Sequence, residues 1–336
     1  MKPSLRRIAG VIAIAALPLS LLATTSSAST GSSVSVVGYS IVANAYTALE
    51  TAFNATPAGQ GVTFTNSFGA STTQALDVVA GQPADVVNFS AQPDLNLLLN
   101  AHLVPRNWNT GKAVKAQKGV VTDSVVAIVV RPGNPLGITG WNSLTKSGVK
   151  IVTPDPLSSG SARWNLLGVY ESQLLQGRNA SHAYNFLNKV IGNVISEPTS
   201  GGKALSAFIA GTGNVLLAYE SDALSALRAG QQVQIIHPQQ NILIENPAAL
   251  TNTGTQNPAA QAFYKFIFSK AGQQIWLAQG YRPTLPALHA QVKKDFVTTK
   301  KLTSIAQLGG WKVVNSDFFS PSGYVTVAEN SHGFTS

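Results

Sequence analysis

From residue 33 onward, short runs rich in β-branched residues alternate with stretches whose apolar residues recur every three or four positions. Val34–Val37 reads as a strand, and Val42, Tyr46, Leu49 and Phe53 then follow helical spacing. Residues 62–64 give a second strand, with Leu76 and Val79 on a helix that stops at Gly81. Residues 84–89 give a third strand, with a helix through residues 95–99. This alternation predicts an α/β fold of parallel sheets with helices on both faces.

Residues 125–130 form a continuous apolar run closed by Arg131-Pro132-Gly133, the pattern of a strand crossing from one lobe to another. A second cycle begins at Lys150, with a strand over 150–152 and a helix carrying Trp164, Leu167, Tyr170 and Leu174. Strands are expected at Val194-Ile195 and over 215–218, and residues 233–236 read as the return crossing. Helices over 256–268 and 271–279 then rejoin the first lobe. The predicted architecture is two α/β lobes hinged by two crossing strands, with lobe I over 29–124 and 237–336 and lobe II over 125–236. A ligand would lie in the cleft between them.

The N-terminus carries a separate signal. Lys2, Arg6 and Arg7 precede an apolar run from Ile8 to Ala23, and Ser26 and Ala28 supply the small residues of a cleavage site. Residues 1–28 are predicted to be a secretory signal peptide, cut before Ser29. The run of about 16 residues is short of the roughly 20 that span a bilayer, and no later segment is apolar enough to do so. The mature chain is expected to be periplasmic and not membrane-inserted.

The 336 residues include no cysteine, which excludes disulfides, thiolate metal sites, thiol catalysis and a lipidated cysteine. With 23 basic and 14 acidic residues the net charge is +9; removing the three basic leader residues leaves +6. The basic residues are scattered, not striped, so they suggest a mild attraction for anions and no nucleic-acid partner.

Four strand-to-helix junctions share one chemistry: Gly38-Tyr39-Ser40, Ser67–Thr72, Ser158-Ser159-Gly160-Ser161 and Thr199-Ser200-Gly201-Gly202. Each places hydroxyls and free backbone N–H groups at a helix N-terminus, where unpaired donors and partial positive charge favour an anion. Each alone is also what an ordinary N-cap looks like. At the carboxyl ends of strands in two lobes, the four would converge on one cleft.

The segment from Pro156 to Asn165, Pro-Leu-Ser-Ser-Gly-Ser-Ala-Arg-Trp-Asn, resembles the signature of the sulfate-binding receptors of ABC importers. Ala84-Asp85-Val86-Val87, the run Gly213–Glu220, Tyr281-Arg282-Pro283 and Gly309-Gly310-Trp311 resemble further motifs of that family, in order and with similar spacing. The resemblance extends from about Val34 to Trp311. It implies a two-lobed type II periplasmic binding protein fold, no cofactor, no catalysis, and a monomer that hands its ligand to a membrane permease.

It also implies a ligand set made only of neutral donors: the N–H of Ser40, the hydroxyls of Ser71 and Ser159, the N–H groups of Gly160 and Ser161, an N–H of the Gly201-Gly202 turn assigned to Gly202, and Tyr219 where the family has tryptophan. Arg163 falls behind the loop as support. Such a site suits sulfate, a dianion with no proton to give, whereas phosphate would also want a buried acceptor; no acid lies within these segments. The chain departs from the family at Ser40, where aspartate is common, at Ser161, where glycine is, and at Tyr219; the turn before Gly202 is one residue shorter. Tyr219 leaves thiosulfate or a molybdate-type oxyanion open as ligand.

Other classes find less support. No nucleophile elbow, zinc-protease helix or phosphate-binding P-loop is present. His102, His182, His237, His289 and His332 are isolated and read as surface or turn residues; Trp276 and Trp311 read as packing residues. An anion sensor for a chemoreceptor would have the same binding lobes. An extracytoplasmic enzyme is the remotest alternative.

Overall fold

The structure is a computed structural model that describes residues 32–334; the predicted signal peptide lies outside them. The chain lays down strands β1 (Ser33–Tyr39), β2 (Thr63–Gly69), β3 (Val86–Asn88) and β4 (Val120–Ser124) before crossing to a second sheet. There it forms β5 (Val126–Val130), β6 (Ile151–Val152), β7 (Val194–Ser196), β8 (Val215–Tyr219) and β9 (Gln234–Ile236). It returns through β10 (Gln240–Ile242), β11 (Ile244–Leu250), β12 (Arg282–Pro283) and β13 (Lys301–Thr303). The first sheet has the order β12-β4-β11-β3-β1-β2 and the second β7-β6-β8-β5-β9, while β10 pairs with β13.

Neither sheet is purely parallel, contrary to the expectation from the alternation. β1 runs parallel to β2 and β3, and β6 parallel to β7 and β8. The strands next to the crossings reverse this: β11 is antiparallel to β3 and β4, and β5 is antiparallel to β8 and β9. Of the run read as a crossing strand, residues 125–130, all but Val125 form β5, inside the second sheet and buried along its length. The outward crossing is the β4–β5 junction at Val125, and the return passes through residues 237–243. The two meet at Asn241, a fully buried side chain whose Oδ1 accepts from the Val126 N–H at 3.2 Å and whose Nδ2 donates to the Val126 carbonyl at 2.8 Å.

Helices α1 (Ala43–Asn54), α2 (Ser71–Val79) and α3 (Gln92–Asn100) follow the first three strands. Helices α4 (Gly160–Leu175), α5 (Ala180–Ile191), α6 (Gly201–Ile209) and α7 (Glu220–Arg228) belong to the second cycle. α8 (Pro258–Phe268), α9 (Lys270–Ala278), α10 (His289–Asp295), α11 (Trp311–Val314) and α12 (Tyr324–Ser331) complete the chain. α5 shows how pattern becomes packing. Ala183, Phe186, Leu187, Val190 and Ile191 form its buried stripe, and Asn179 caps it by accepting from the His182 N–H at 2.9 Å. α4 is buried nearly all round, so it lies inside the molecule with its N-terminus fixed by packing. Trp276 and Trp311 are packing residues as expected, Trp311 meeting Trp164 edge-on at 4.9 Å.

The C-terminal segment does not stay with the first sheet. Phe318 packs edge-on against Tyr170 of α4 at 4.9 Å, Tyr324 stacks on the same ring at 5.6 Å, and Ser331 donates to Asn188 of α5 at 3.2 Å. None of the helices among the described residues is long and apolar enough to cross a membrane.

Candidate functional site

The four junctions fold as strand-to-helix turns. A short 3-10 turn over Ser40–Val42 leads from β1 into α1, and Ala70 precedes α2, which begins at Ser71. Ser159 is the N-cap residue of α4, and Ser200 is that of α6, its hydroxyl accepting from the Lys203 N–H at 3.2 Å. The turns come from both sheets and touch. The Thr72 N–H donates to the Ser158 carbonyl at 3.1 Å, and the Gly202 N–H donates to Ser40 Oγ at 3.1 Å. Ser40, Gly69, Ala70, Ser158, Ser200 and Gly202 line one groove of 710 Å³.

Of the predicted ligand residues, Ser40 and Gly202 line this groove; Ser71, Ser159, Gly160, Ser161 and Tyr219 do not line it and are joined to one another and to the turns by the contacts that follow. Ser159 and Ser161 are buried with their hydroxyl oxygens 2.8 Å apart. A Cβ added at Gly201 would come within 3.0 Å of Ser161 Oγ, which joins the α4 turn to the α6 turn. The first-turn N–H groups of Gly160 and Ser161 have no hydrogen-bond acceptor among the described residues. Ser71 is buried, accepts from the Ser90 N–H at 3.0 Å and donates to Asp94 Oδ2 at 2.6 Å. Tyr219 is fully buried, with its hydroxyl 3.3 Å from the Ser90 carbonyl, and burial pushes its phenol well above the ordinary range, so it remains a donor. Arg163 sits behind the loop: its Nε donates to the Pro156 carbonyl at 3.1 Å and its guanidinium lies 5.4 Å from the Phe319 ring centre.

Two residues absent from the sequence expectation complete the cluster. Asp94, in the first turn of α3, accepts from Ser71 and from Thr72 at 2.8 Å. An acid therefore does reach the cleft, although none lies within the ligand segments. Burial pushes its carboxyl up, against the Ser71 hydroxyl, the Arg163 charge and the Thr72 hydroxyl, which pull it down. Both of its oxygens are engaged by hydroxyls, so it orients Ser71 and Thr72. Ser90, after β3, has a carbonyl that accepts from Trp164 Nε1 at 2.8 Å and Asn246 Nδ2 at 2.9 Å as well as from Tyr219. The signal for both was a fifth strand-to-helix junction, Asn88-Phe89-Ser90-Ala91 followed by α3.

One histidine is not a plain surface residue. His237, on the return crossing, places Nδ1 3.2 Å from Glu220 Oε1. Glu220 is buried, and Arg282 of β12 meets it with two nitrogens, at 2.6 and 3.0 Å. Burial would raise the Glu220 carboxyl, but hydrogen bonds from His237 and Arg282 bring it below its usual range.

Chemically, the cleft offers buried hydroxyls and amides at the start of a long buried helix, with Arg163 donating to the Pro156 carbonyl behind the loop and Lys203 on the groove wall. Among the described residues, no group of three or more His, Asp or Glu side chains could hold a metal. That arrangement can bind a dehydrated anion through donors alone.

Comparison with known proteins gives concordant results. A family model described as "Bacterial extracellular solute-binding protein" matches residues 34–282. A sulfate-binding protein of Synechococcus elongatus is 34% identical over 299 residues, 87% of this chain and 85% of its own length. A thiosulfate-binding protein of Escherichia coli is 28% identical over 274 residues, 79% of this chain and 80% of its own length. Among solved structures, the sulfate-binding protein SubI from Mycobacterium tuberculosis is 40% identical with a TM-score of 0.82, covering 86% of this chain and 100% of that one.

Proposed function

The chain belongs to the bacterial extracellular solute-binding proteins, with the type II periplasmic binding protein fold, and from that premise we propose that it is a sulfate receptor that delivers its ligand to an ABC importer. Relatives of the chain are named as sulfate- and thiosulfate-binding proteins, which are transport receptors and not enzymes. The finer reading is a periplasmic monomer, released from a signal peptide over residues 1–28. It closes the lobe over 125–236 against the lobe over 29–124 and 237–336, the C-terminal segment strapping one to the other.

The observation that carries the ligand reading is the α4 turn. Ser159 and Ser161 are buried with paired hydroxyls, beside the acceptor-less amides of Gly160 and Ser161. The ligand set is Ser40, Ser71, Ser159, Gly160, Ser161, Gly202 and Tyr219, with Arg163 in support. Six of these already hold an internal bond: Gly202 donates to Ser40 Oγ, Ser71 donates to Asp94, the Ser159 and Ser161 hydroxyls pair, and Tyr219 donates to the Ser90 carbonyl. A sulfate would compete for the Gly202, Ser159–Ser161 and Tyr219 donors, replacing each neutral acceptor with a dianion oxygen, and charge-assisted bonds are about twice as strong as neutral ones; the Ser71 hydroxyl would have to leave the Asp94 carboxyl oxygen it now serves.

Isothermal titration of the chain from Ser29 onward with sulfate, thiosulfate, molybdate and phosphate tests this. Tight one-to-one sulfate binding with phosphate silent is the expected result. Preference for thiosulfate or molybdate would keep the receptor and change the ligand, an outcome that Tyr219 at the tryptophan position makes the one competing reading. No binding of any oxyanion would overturn the proposal and reopen the sensor and enzyme alternatives.

A further inference from the structure

At Ser90 the main chain is fully engaged while the side chain is not. Its N–H donates to Ser71 Oγ, and its carbonyl accepts from Trp164, Asn246 and Tyr219, donors that come from both sheets. These four bonds fix the residue. Its hydroxyl, on a residue only 1% exposed, has no hydrogen-bond partner among the described residues.

The position of that hydroxyl is specific. A Cβ built on Gly160 would fall 2.3 Å from Ser90 Oγ and 2.9 Å from Asp94 Oδ2. Ser90 Oγ therefore lies directly against the first turn of α4, whose two leading amides also lack an acceptor. Asp94 Oδ2, which flanks the same Gly160 position, already takes the Ser71 proton. The carbonyl of Ser90 itself is saturated by three donors. A buried hydroxyl left without a partner is costly, and native folds avoid it unless a water or ligand supplies the missing bond. Here the unpaired hydroxyl comes from the junction after β3 and the unpaired amides from the first turn of α4 that it abuts, so one acceptor-rich ligand at that contact would satisfy all three.

We propose that Ser90 Oγ is a further ligand contact of this cleft, donating its proton to an oxygen of the bound tetrahedral oxyanion alongside the α4 amides. The proposal rests on the reading of the cleft as an oxyanion site. It assigns the first lobe a donor supplied by the junction after β3, a junction outside the four recognised in the sequence. It also makes Gly160 a spacing requirement: any side chain there would occupy the position from which the Ser90 hydroxyl reaches the ligand.

The test is a pair of measurements on the chain from Ser29 onward, wild type and Ser90→Ala, made by isothermal titration with sulfate and by thermal melting with and without sulfate. Removing an unpartnered hydroxyl should leave the ligand-free melting point unchanged or raised, because no internal bond is lost. The sulfate dissociation constant should rise about tenfold, and sulfate should protect the variant less against heat. If the wild type binds sulfate and Ser90→Ala binds it within twofold as tightly, the hydroxyl is satisfied by water and the proposal fails while the receptor reading stands. A lowered ligand-free melting point with unchanged affinity would likewise overturn it, making Ser90 a structural residue. If the wild type binds none of the four oxyanions, the reading of the cleft fails and the proposal falls with it.

Discussion

The Tyr219 hydroxyl lies 3.3 Å from the Ser90 carbonyl, joining the end of β8 in the second sheet to the turn after β3 in the first. That carbonyl also accepts from Trp164 across the same gap and from Asn246 on its own side. Two of the three donors thus hold the sheets together where the ligand would sit. Tyr219→Phe should cost about 1 kcal/mol of stability, the net worth of one such bond, measured by denaturant unfolding without ligand. Sulfate affinity should fall about tenfold if the phenol also serves the ligand. A stability loss with unaltered affinity would make Tyr219 a bond between sheets only.

The α4 turn should tolerate little. Ser159→Ala removes a buried hydroxyl that pairs with Ser161 at 2.8 Å, and Gly160→Val drives branched carbons into Ser90 and Asp94. Each should weaken sulfate binding by at least tenfold in titration calorimetry, about 1.4 kcal/mol or more. Circular dichroism should show the fold unchanged in Ser159→Ala. Full affinity in that variant would remove Ser159 from the ligand set.

The fold was legible where local pattern suffices. The burial of Val34 and Val36, the stripe of α5 and the apolar run over 126–130 all follow from side-chain periodicity. Strand direction was not, because β5 and β11 reverse against their neighbours through long-range pairing that no local window contains. The same limit explains the site. Ser71 and Ser159 stood out because serine and glycine cluster before their helices, whereas Asp94 is one acid in an ordinary first helical turn. Its role depends on α2 and α3 lying side by side, which brings its carboxylate to Ser71 across 23 positions of sequence. The C-terminal helix also escaped expectation, since nothing in residues 324–331 says that Tyr324 will stack on Tyr170.

Glu220 and Arg282 form a second tie between the sheets, from the start of α7 to β12. The carboxylate is 1% exposed and depends on Arg282 and His237 for compensation. Arg282→Met should therefore cost about 3 kcal/mol in denaturant unfolding, since a buried charge would be left with one partner. Glu220→Leu combined with Arg282→Met should recover most of that loss. A double variant as unstable as Arg282→Met would mean that the arginine acts through its bond to the Val297 carbonyl instead.

Stability should fall as pH rises from about 4.5 to 8, opposite to the usual carboxylate behaviour. Burial pushes the Glu329 carboxyl to about 8 and the Glu197 carboxyl to about 7, and the Asp155 charge adds to both. Burial also raises Asp123 and Glu171 to about 7 and Asp222 to about 8. In this window the folded chain keeps protons that the unfolded chain releases near its ordinary carboxylate range, so each increment of pH favours unfolding. Glu329 belongs to α12 and has an oxygen, Oε1, without a partner among the described residues; so has Glu197, which follows β7. Their repulsion therefore acts where the C-terminal segment meets the second sheet. Melting curves at pH 5 and pH 8 should give the lower midpoint at pH 8. Glu329→Gln, which stays neutral at both, should raise the pH 8 midpoint by about 3 °C, the response of a domain this size to roughly 1 kcal/mol, and change the pH 5 midpoint little. An equal shift at both pH values would show that the gain comes from packing and not from the carboxyl proton.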